Sequence, residues 1–404
     1  MLYYMKFKAL CKIDSETVIV LPVRKISKRL ILTILGFLVI TLVAEGVLRL
    51  FSPQVTLTQA HTFSFPCFEE GEFRWIKLAS NKTCELRTPK SPWFKKIVKT
   101  NSLGLRNREV IMPKPSGLNR IIFIGDSFTM GWGVEENESY PRVVETLLKN
   151  KMPTVPVETI NAGFTAAGPS GYYLYLKNHA LTLSPDIVVI GLYFGNDITS
   201  RLDVEWVETD EYGLPAVVRS KTTYIDYTGQ MRFRNGPLKY KFPVLSETHL
   251  FLFMMDRLFP PNQTPEYDPV ITPHICIRKA NCYDLDKQKE EVRRLFLGMK
   301  RLTDTKGAKL LVAMIPTEYT VYDNKEEKYG LAIPLLPSEK HHLQDEFGGF
   351  FDENGIGYLD LRQELLKHAD QELYFLYDDH WNPDGHNVAA QAISGWLVPF
   401  LSKN

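Results

Sequence analysis

The chain has 404 residues, of which 44% are hydrophobic and 24% charged, and its formal net charge is +1. That balance excludes a broad attraction to nucleic acid or to an anionic surface, and 12% aromatic residues exclude a disordered polymer. Function therefore has to be read from local features.

The first is an apolar run. No charged residue occurs from Leu30 to Ala44, and apolar character continues through Val47, Leu48, Leu50 and Phe51. As a helix, residues 30–51 span roughly 33 Å at about 1.5 Å per residue, enough to cross a bilayer. Glu45 and Arg49 interrupt the run four positions apart, acid first, so they can pair on one helix face near the far membrane surface. Arg24, Lys25, Lys28 and Arg29 precede it, which assigns residues 1–29 to the cytoplasm and everything after Phe51 to the extracytoplasmic side. Ala44-Glu45-Gly46 is a poor cleavage site and the leader before the run is unusually long. The run reads as a retained single-pass signal anchor; a cleaved signal peptide and a buried core helix are the competing readings.

Cysteine usage agrees with export. Cys11 falls on the cytoplasmic side and reads as a free thiol. Cys67 with Cys84 and Cys276 with Cys282 form two close sets, and local pairing is the simplest of the three possible connectivities. Neither set has Cys-x-x-Cys spacing and His274 is the only adjacent histidine, which argues against zinc.

Residues 52–118 read as an extracytoplasmic stem, with several prolines and no sustained periodicity. From 119 to 404 strand and helix alternate. Arg120–Gly125, Val155–Ile160, Asp186–Tyr193, Lys309–Ile315 and Gly357–Leu361 read as strands, the strongest of them fully apolar as in a central parallel sheet. Helices are expected over Tyr140–Asn150, Tyr172–Leu181, Asp286–Lys306 and Pro383–Leu401. This pattern implies a doubly wound α/β domain. Residues 199–285 break the alternation and read as an insertion over one end of the sheet, with a short apolar helix at Leu250–Leu258.

Ligands bind beyond the carboxyl ends of parallel strands, and three strand ends carry suitable residues. The strand 120–125 runs into Gly125-Asp126-Ser127, where a serine opening a helix can face the crevice beside backbone N–H donors. Asn161-Ala162-Gly163 closes the next strand and Gly195-Asn196-Asp197 the one after. Backbone N–H groups at Ser127 and Gly163 with the Asn196 amide can make a three-donor oxyanion hole. Taken singly, each of these segments is also ordinary turn or cap chemistry.

A base is supplied by Asp378-Asp379-His380-Trp381-Asn382-Pro383. In an extended segment Asp378 and His380 point the same way, so the carboxylate can hold one ring nitrogen while the other faces Ser127, and Asp379 points away. Asn382-Pro383 is a helix start, which puts His386 in the first turn as a structural histidine and second candidate base.

Together these four places resemble the SGNH hydrolases, or GDSL esterases, over roughly residues 100–404. The resemblance implies a flavodoxin-like three-layer sandwich, a catalytic Ser127–His380–Asp378 triad, and oxyanion donors at Ser127, Gly163 and Asn196. Three departures are visible. Phe128 stands where the family usually has Leu; Gly195 directly precedes Asn196; and Tyr377 occupies the position of the usual Asp in Asp-x-x-His. The Asp-x-His-Trp spacing is similar to the branch of the alginate O-acetylation proteins, which are exported and act on cell-surface polysaccharide. The expectation is a membrane-anchored extracytoplasmic serine esterase acting on O-acetyl esters of a glycan or on a small ester, with no metal or organic cofactor and no nucleic-acid partner. The alternatives are a polysaccharide O-acetyltransferase using the same triad and a non-catalytic glycan-binding or assembly protein. A nucleotide-binding flavodoxin-like protein would need a Gly-rich phosphate loop, which this chain lacks. Oligomeric state is not legible.

Overall fold

The computed structural model describes residues 28–54, 56, 67–71, 76–88, 91–165, 168–198, 204–220, 223–225, 231–233, 238–242, 244–258, 285–322, 337–376 and 378–401. Cys11, Arg24, Lys25, His274, Cys276, Cys282 and Tyr377, and with them nearly all of the expected cytoplasmic segment and the second cysteine pair, lie outside the described residues.

In chain order, and numbering only the strands of the central sheet, the elements are α1 (Lys28–Phe51), β1 (Asn119–Gly125), α2 (Ser127–Met130), α3 (Tyr140–Lys151), β2 (Val157–Gly163), α4 (Pro169–Asn178), β3 (Ile187–Tyr193), α5 (His249–Leu258), α6 (Leu285–Thr305), β4 (Lys309–Ile315), α7 (Glu318–Val321), α8 (Pro337–Glu353), β5 (Gly357–Asp360), α9 (Arg362–Leu366) and α10 (Pro383–Leu401). The five strands form one parallel sheet in the order β2-β1-β3-β4-β5. The chain leaves β1 towards β2 and then crosses to β3 on the other side. The resulting crevice lies at the carboxyl ends of β1 and β3, where ligands bind in such sheets.

Alternation along the strands builds two cores. Ile122, Ile124, Val188, Ile190 and Leu192 face one side, where α4, α6 and α8 add Tyr172, Leu176, Phe296, Met299 and Phe347. Ile121, Phe123, Val189 and Tyr193 face the other, against Val144 and Leu148 of α3 and Ile393 and Leu397 of α10. Successive side chains point to opposite faces, so an all-apolar strand must be covered on both. The outcome is the expected three-layer α/β sandwich.

Two features differ from expectation. Helix α8 supplies the β4–β5 crossover and was not legible. Residues 67–99, read as part of a featureless stem, form two antiparallel hairpins, Phe68–Glu70 with Ile76–Leu78 and Thr83–Thr88 with Ser91–Lys99. A Cys67–Cys84 disulfide ties them together, as local pairing anticipated. Cys67, Leu78, Leu86 and Val98 are buried in the same core as Ile122 and Ile190. Within the insertion, the antiparallel hairpin of Val204–Thr209 with Pro215–Ser220 lies beside α4. Trp206 donates to Ser170 Oγ (2.9 Å) at the start of that helix, and Asp210 pairs with Lys177 (2.7 Å) near its end.

Helix α1 is long and apolar enough to cross a membrane and none of it is buried. Arg49 Nε lies 2.8 Å from Glu45 Oε1, the pairing that the four-residue spacing leads one to expect.

Because Leu86 is fully buried in the sheet's own core, Leu86→Ala should lower global stability by about 2–5 kcal/mol. Urea unfolding followed by tryptophan fluorescence checks this. A main transition that does not move would mean that the hairpins are a separate appendage.

Candidate active site

The carboxyl end of β1 turns directly into α2. Asp126 caps this single turn by accepting the Phe128 N–H (2.9 Å), so Ser127 becomes the first helical residue, half-buried in the crevice. Its N–H, like those of every first helical turn, has no intrahelical acceptor. The turn ends at Gly131, whose φ of 83° favours glycine. The buried Arg106 guanidinium fixes that end by donating to the carbonyls of Gly131 and Val134 (2.7 Å to the latter).

Asp378 and His380 reach Ser127 from the loop before α10. Tyr374 bridges Trp381, Phe375 N–H donates to His380 O (2.9 Å), and Asp378 N–H donates to Phe375 O (3.3 Å). Trp381, fully buried against Phe128 and Tyr140, anchors the loop. Asn382 accepts the Gly385 N–H (3.0 Å) and so caps α10 as its sequence predicts. The His380 ring lies between Phe128 (4.9 Å between centroids) and Trp132 (5.7 Å).

His380 Nε2 is 2.6 Å from Ser127 Oγ, and its Nδ1 is hydrogen-bonded to Asp378 Oδ1. The structure thus brings together the three residues that the sequence singles out, although their adjacency has a different cause. The segment is a tight turn, not a strand: Asp378 Oδ1 also accepts the His380 N–H (3.1 Å), an Asx-type turn that sets acid beside imidazole. The same curvature overturns the expectation that Asp379 points away. Asp379 Oδ1 lies 3.5 Å from His380 Nδ1, and its Oδ2 accepts from Tyr193 OH (3.2 Å).

Three carboxylates therefore act on one imidazole. Burial lowers the His380 pKa, but Asp378 foremost, then Asp379 and Asp126, carry it up to about 9. Burial works against the Asp378 carboxylate too, yet the imidazole holds it well below its ordinary value. Asp126 is raised to about 7 by burial, opposed by His380 and by the Phe128 N–H. His386 has the opposite character. Buried, and accepting the Tyr140 N–H on Nδ1 (3.3 Å), it is pushed down to about 3 and packs as a neutral ring against Tyr140 and Trp381.

The expected oxyanion residues occupy different positions. Gly163 ends β2 with its backbone against α2: a Cβ there would sit 2.2 Å from Met130 N, so glycine serves contact with the turn that carries Ser127. Its N–H donates to Asn161 Oδ1 (3.0 Å). Asn196 lies in the turn after β3, braced by Asp197, which accepts the Tyr193 N–H (2.8 Å) and the Tyr172 hydroxyl (3.0 Å). The Asn196 Oδ1 is buried without a hydrogen-bond partner among the described residues. Arg106, Trp132 and Tyr193 escaped sequence reasoning, and Asp379 was misplaced by it.

Chemically, a hydroxyl linked through imidazole to a carboxylate can deliver an activated oxygen to an acyl carbon. Sequence similarity over the C-terminal part of the chain supports the same class of chemistry, that of an ester-acting hydrolase or acyltransferase with an SGNH hydrolase-like domain. In particular, residues 279–398 match the SGNH hydrolase-like domain of the acetyltransferase AlgX, a stretch that contains Asp378 and His380 but not Ser127. No curated protein matches the chain significantly. Among solved structures, a lipolytic protein of the G-D-S-L family from Desulfitobacterium hafniense is 12% identical, covering 69% of this chain and 98% of its own, with a TM-score of 0.36. The lipase/acylhydrolase from Enterococcus faecalis is 13% identical over 70% and 97%, with a TM-score of 0.39. The acetyl xylan esterase AlAXEase is 16% identical over 69% and 98%, with a TM-score of 0.37. Superpositions this loose carry no argument about activity.

Since His380 is raised above its unfolded value, its coupling to Asp378 stabilises the fold fully below about pH 6.5 and is lost as pH rises through about 9. An NMR titration of the His380 ring protons should give a midpoint near 9, falling towards the ordinary histidine range in Asp378→Asn. An unshifted midpoint in wild type would contradict the charge arrangement.

Proposed function

We propose that the chain is a membrane-anchored, extracytoplasmic serine esterase acting on O-acetyl esters, with Ser127 as nucleophile, His380 as base and Asp378 as the acid that orients it. The observation that carries this reading is the unbroken hydrogen-bonded series from Ser127 Oγ through His380 to Asp378. Neutral His380 takes the Ser127 proton as Oγ attacks the ester carbonyl, and the resulting oxyanion is held by the Ser127 N–H and the Asn196 amide. The Gly163 N–H joins them only if it exchanges Asn161 Oδ1 for the substrate. The imidazolium then protonates the departing alkoxide, leaving an acyl-serine. Water, deprotonated by His380, attacks that ester and returns Ser127 with release of the acid.

Helix α1 supports the anchor, and Lys28 and Arg29 at its start support a cytoplasmic N-terminus. The Cys67–Cys84 disulfide is consistent with an oxidising compartment outside the cytoplasm. The AlgX match favours one second reading, an O-acetyltransferase in which a sugar hydroxyl replaces water in the second half-reaction. An acylated glycan is the proposed substrate in either case.

The full chain in detergent should hydrolyse p-nitrophenyl acetate and be labelled by a fluorophosphonate. Ser127→Ala should abolish labelling and lower kcat/KM by about 10⁴-fold or more. Asn196→Ala should cost on the order of a hundredfold in kcat with KM little changed. Labelling that survives Ser127→Ala would refute the nucleophile, and an inert wild type would refute the enzyme. The rate should rise with pH along the His380 deprotonation limb. Acetate release set against acetyl transfer to an added glycan separates hydrolase from transferase.

A further inference from the structure

We infer that residues 238–242 and 244–258 form a second, lateral membrane contact, in which α5 lies in the outer lipid interface beside the end of α1. This rests on reading α1 as a membrane-spanning helix. Glu45 is a carboxylate inside an otherwise apolar run. An acid there is costly in lipid unless it is partnered. Besides Arg49, its oxygens accept the backbone N–H groups of His249 (3.0 Å) and Leu250 (2.7 Å), which open α5. Gln54, just past the end of α1, donates its N–H to His249 Nδ1 (2.8 Å). The start of α5 is thereby clamped to α1 at the level of Glu45.

That level can be placed. A hydrocarbon core about 30 Å thick takes roughly 20 helical residues, so a span beginning at Leu30 emerges near residue 50. Glu45 then lies about 7 Å inside the boundary, within the roughly 5–10 Å at which interfacial amphipathic helices rest.

The composition of α5 suits that depth. His249, Leu252 and Met255 face the protein, whereas Met254 and Leu258, one turn apart, are exposed, Leu258 at 65%. The preceding turns add exposed Leu238, Phe242, Val244 (82%) and Leu245. They are held to α5 by Lys239 on Asp256 (2.7 Å) and by Phe242 against Phe251. Arg257 lays its guanidinium over the Phe253 ring (3.4 Å), and with Lys241 it offers cationic groups at headgroup level. An apolar patch hydrogen-bonded to the emerging end of a spanning helix meets lipid and not water, which fixes the height and tilt of the hydrolase domain over the bilayer.

The test uses the full chain in phosphatidylcholine liposomes with the photoreactive p-benzoylphenylalanine at Met254 or Leu258, at Leu38 within α1, and at the exposed but remote Leu366. Positions 254 and 258 should crosslink to lipid at least about tenfold above Leu366, in the range of Leu38. Lipid adducts at Leu38 with only the Leu366 background at 254 and 258 would overturn the inference, as would crosslinks from 258 into a second copy of the chain. If Leu38 itself yields no lipid adduct, the spanning reading fails and takes the inference with it.

Discussion

The hydrogen bond between Ser127 Oγ and His380 Nε2 joins residues 253 positions apart, and most of the fold serves to close that gap. Its serine end is fixed by β1, whose seven residues are all buried, by the Asp126 cap and by the Arg106 brace. Its histidine end is fixed by Trp381, which fills the space between Phe128 and Tyr140 and so locks the loop onto α2. Phe128 touches both His380 and Trp381. One aromatic ring, adjacent to the serine, therefore sets the distance between the two halves of the site.

Electrostatics follow from that closure. Burial opposes charge on the imidazole, but the three carboxylates around it outweigh that and make it more basic than in solution, while the carboxylates respond unequally. Asp378, bonded to His380 through both the ring and the backbone N–H, stays ionised; Asp126, deeper and with one buried oxygen unpartnered among the described residues, moves towards neutrality. Two acids in similar surroundings thus take different charge states, and the one in contact with the imidazole is the one suited to orient it. Asp379, shared between the Tyr193 hydroxyl and the same His380 Nδ1 at the longer distance of 3.5 Å, stiffens the loop rather than replacing Asp378.

Much of this was legible in the sequence wherever a local pattern decides the structure. β1, β3 and β4 each carry an uninterrupted apolar run of strand length that reads as a buried strand, and the Asn382-Pro383 start of α10 follows from cap chemistry alone. Ser127, His380 and Asp378 were legible because each sits at the end of such an element. What stayed hidden depends on approach in three dimensions. Gly163 reads as a donor to ligand, but its lack of a side chain is used by the backbone of α2, and its N–H by Asn161. Asp379 was misplaced because alternation holds in strands and fails in a turn closed by Phe375 and His380. Helix α8 carries Gly348 and Gly349 in its second half, which weakens its helical signature. The contact of Glu45 with the start of α5 spans more than 200 positions and leaves no trace in either segment alone.

With Ser127 as the proposed nucleophile, every acyl group that turns over passes through its Oγ. Acid-quenching the protein during turnover of an acetyl ester, followed by peptide mass spectrometry, reads this directly. An acetyl increment is expected only on the peptide carrying Ser127, at the serine itself, decaying once the ester is exhausted. Turnover with no acetylated peptide, or with the acetyl group on another residue, would contradict it.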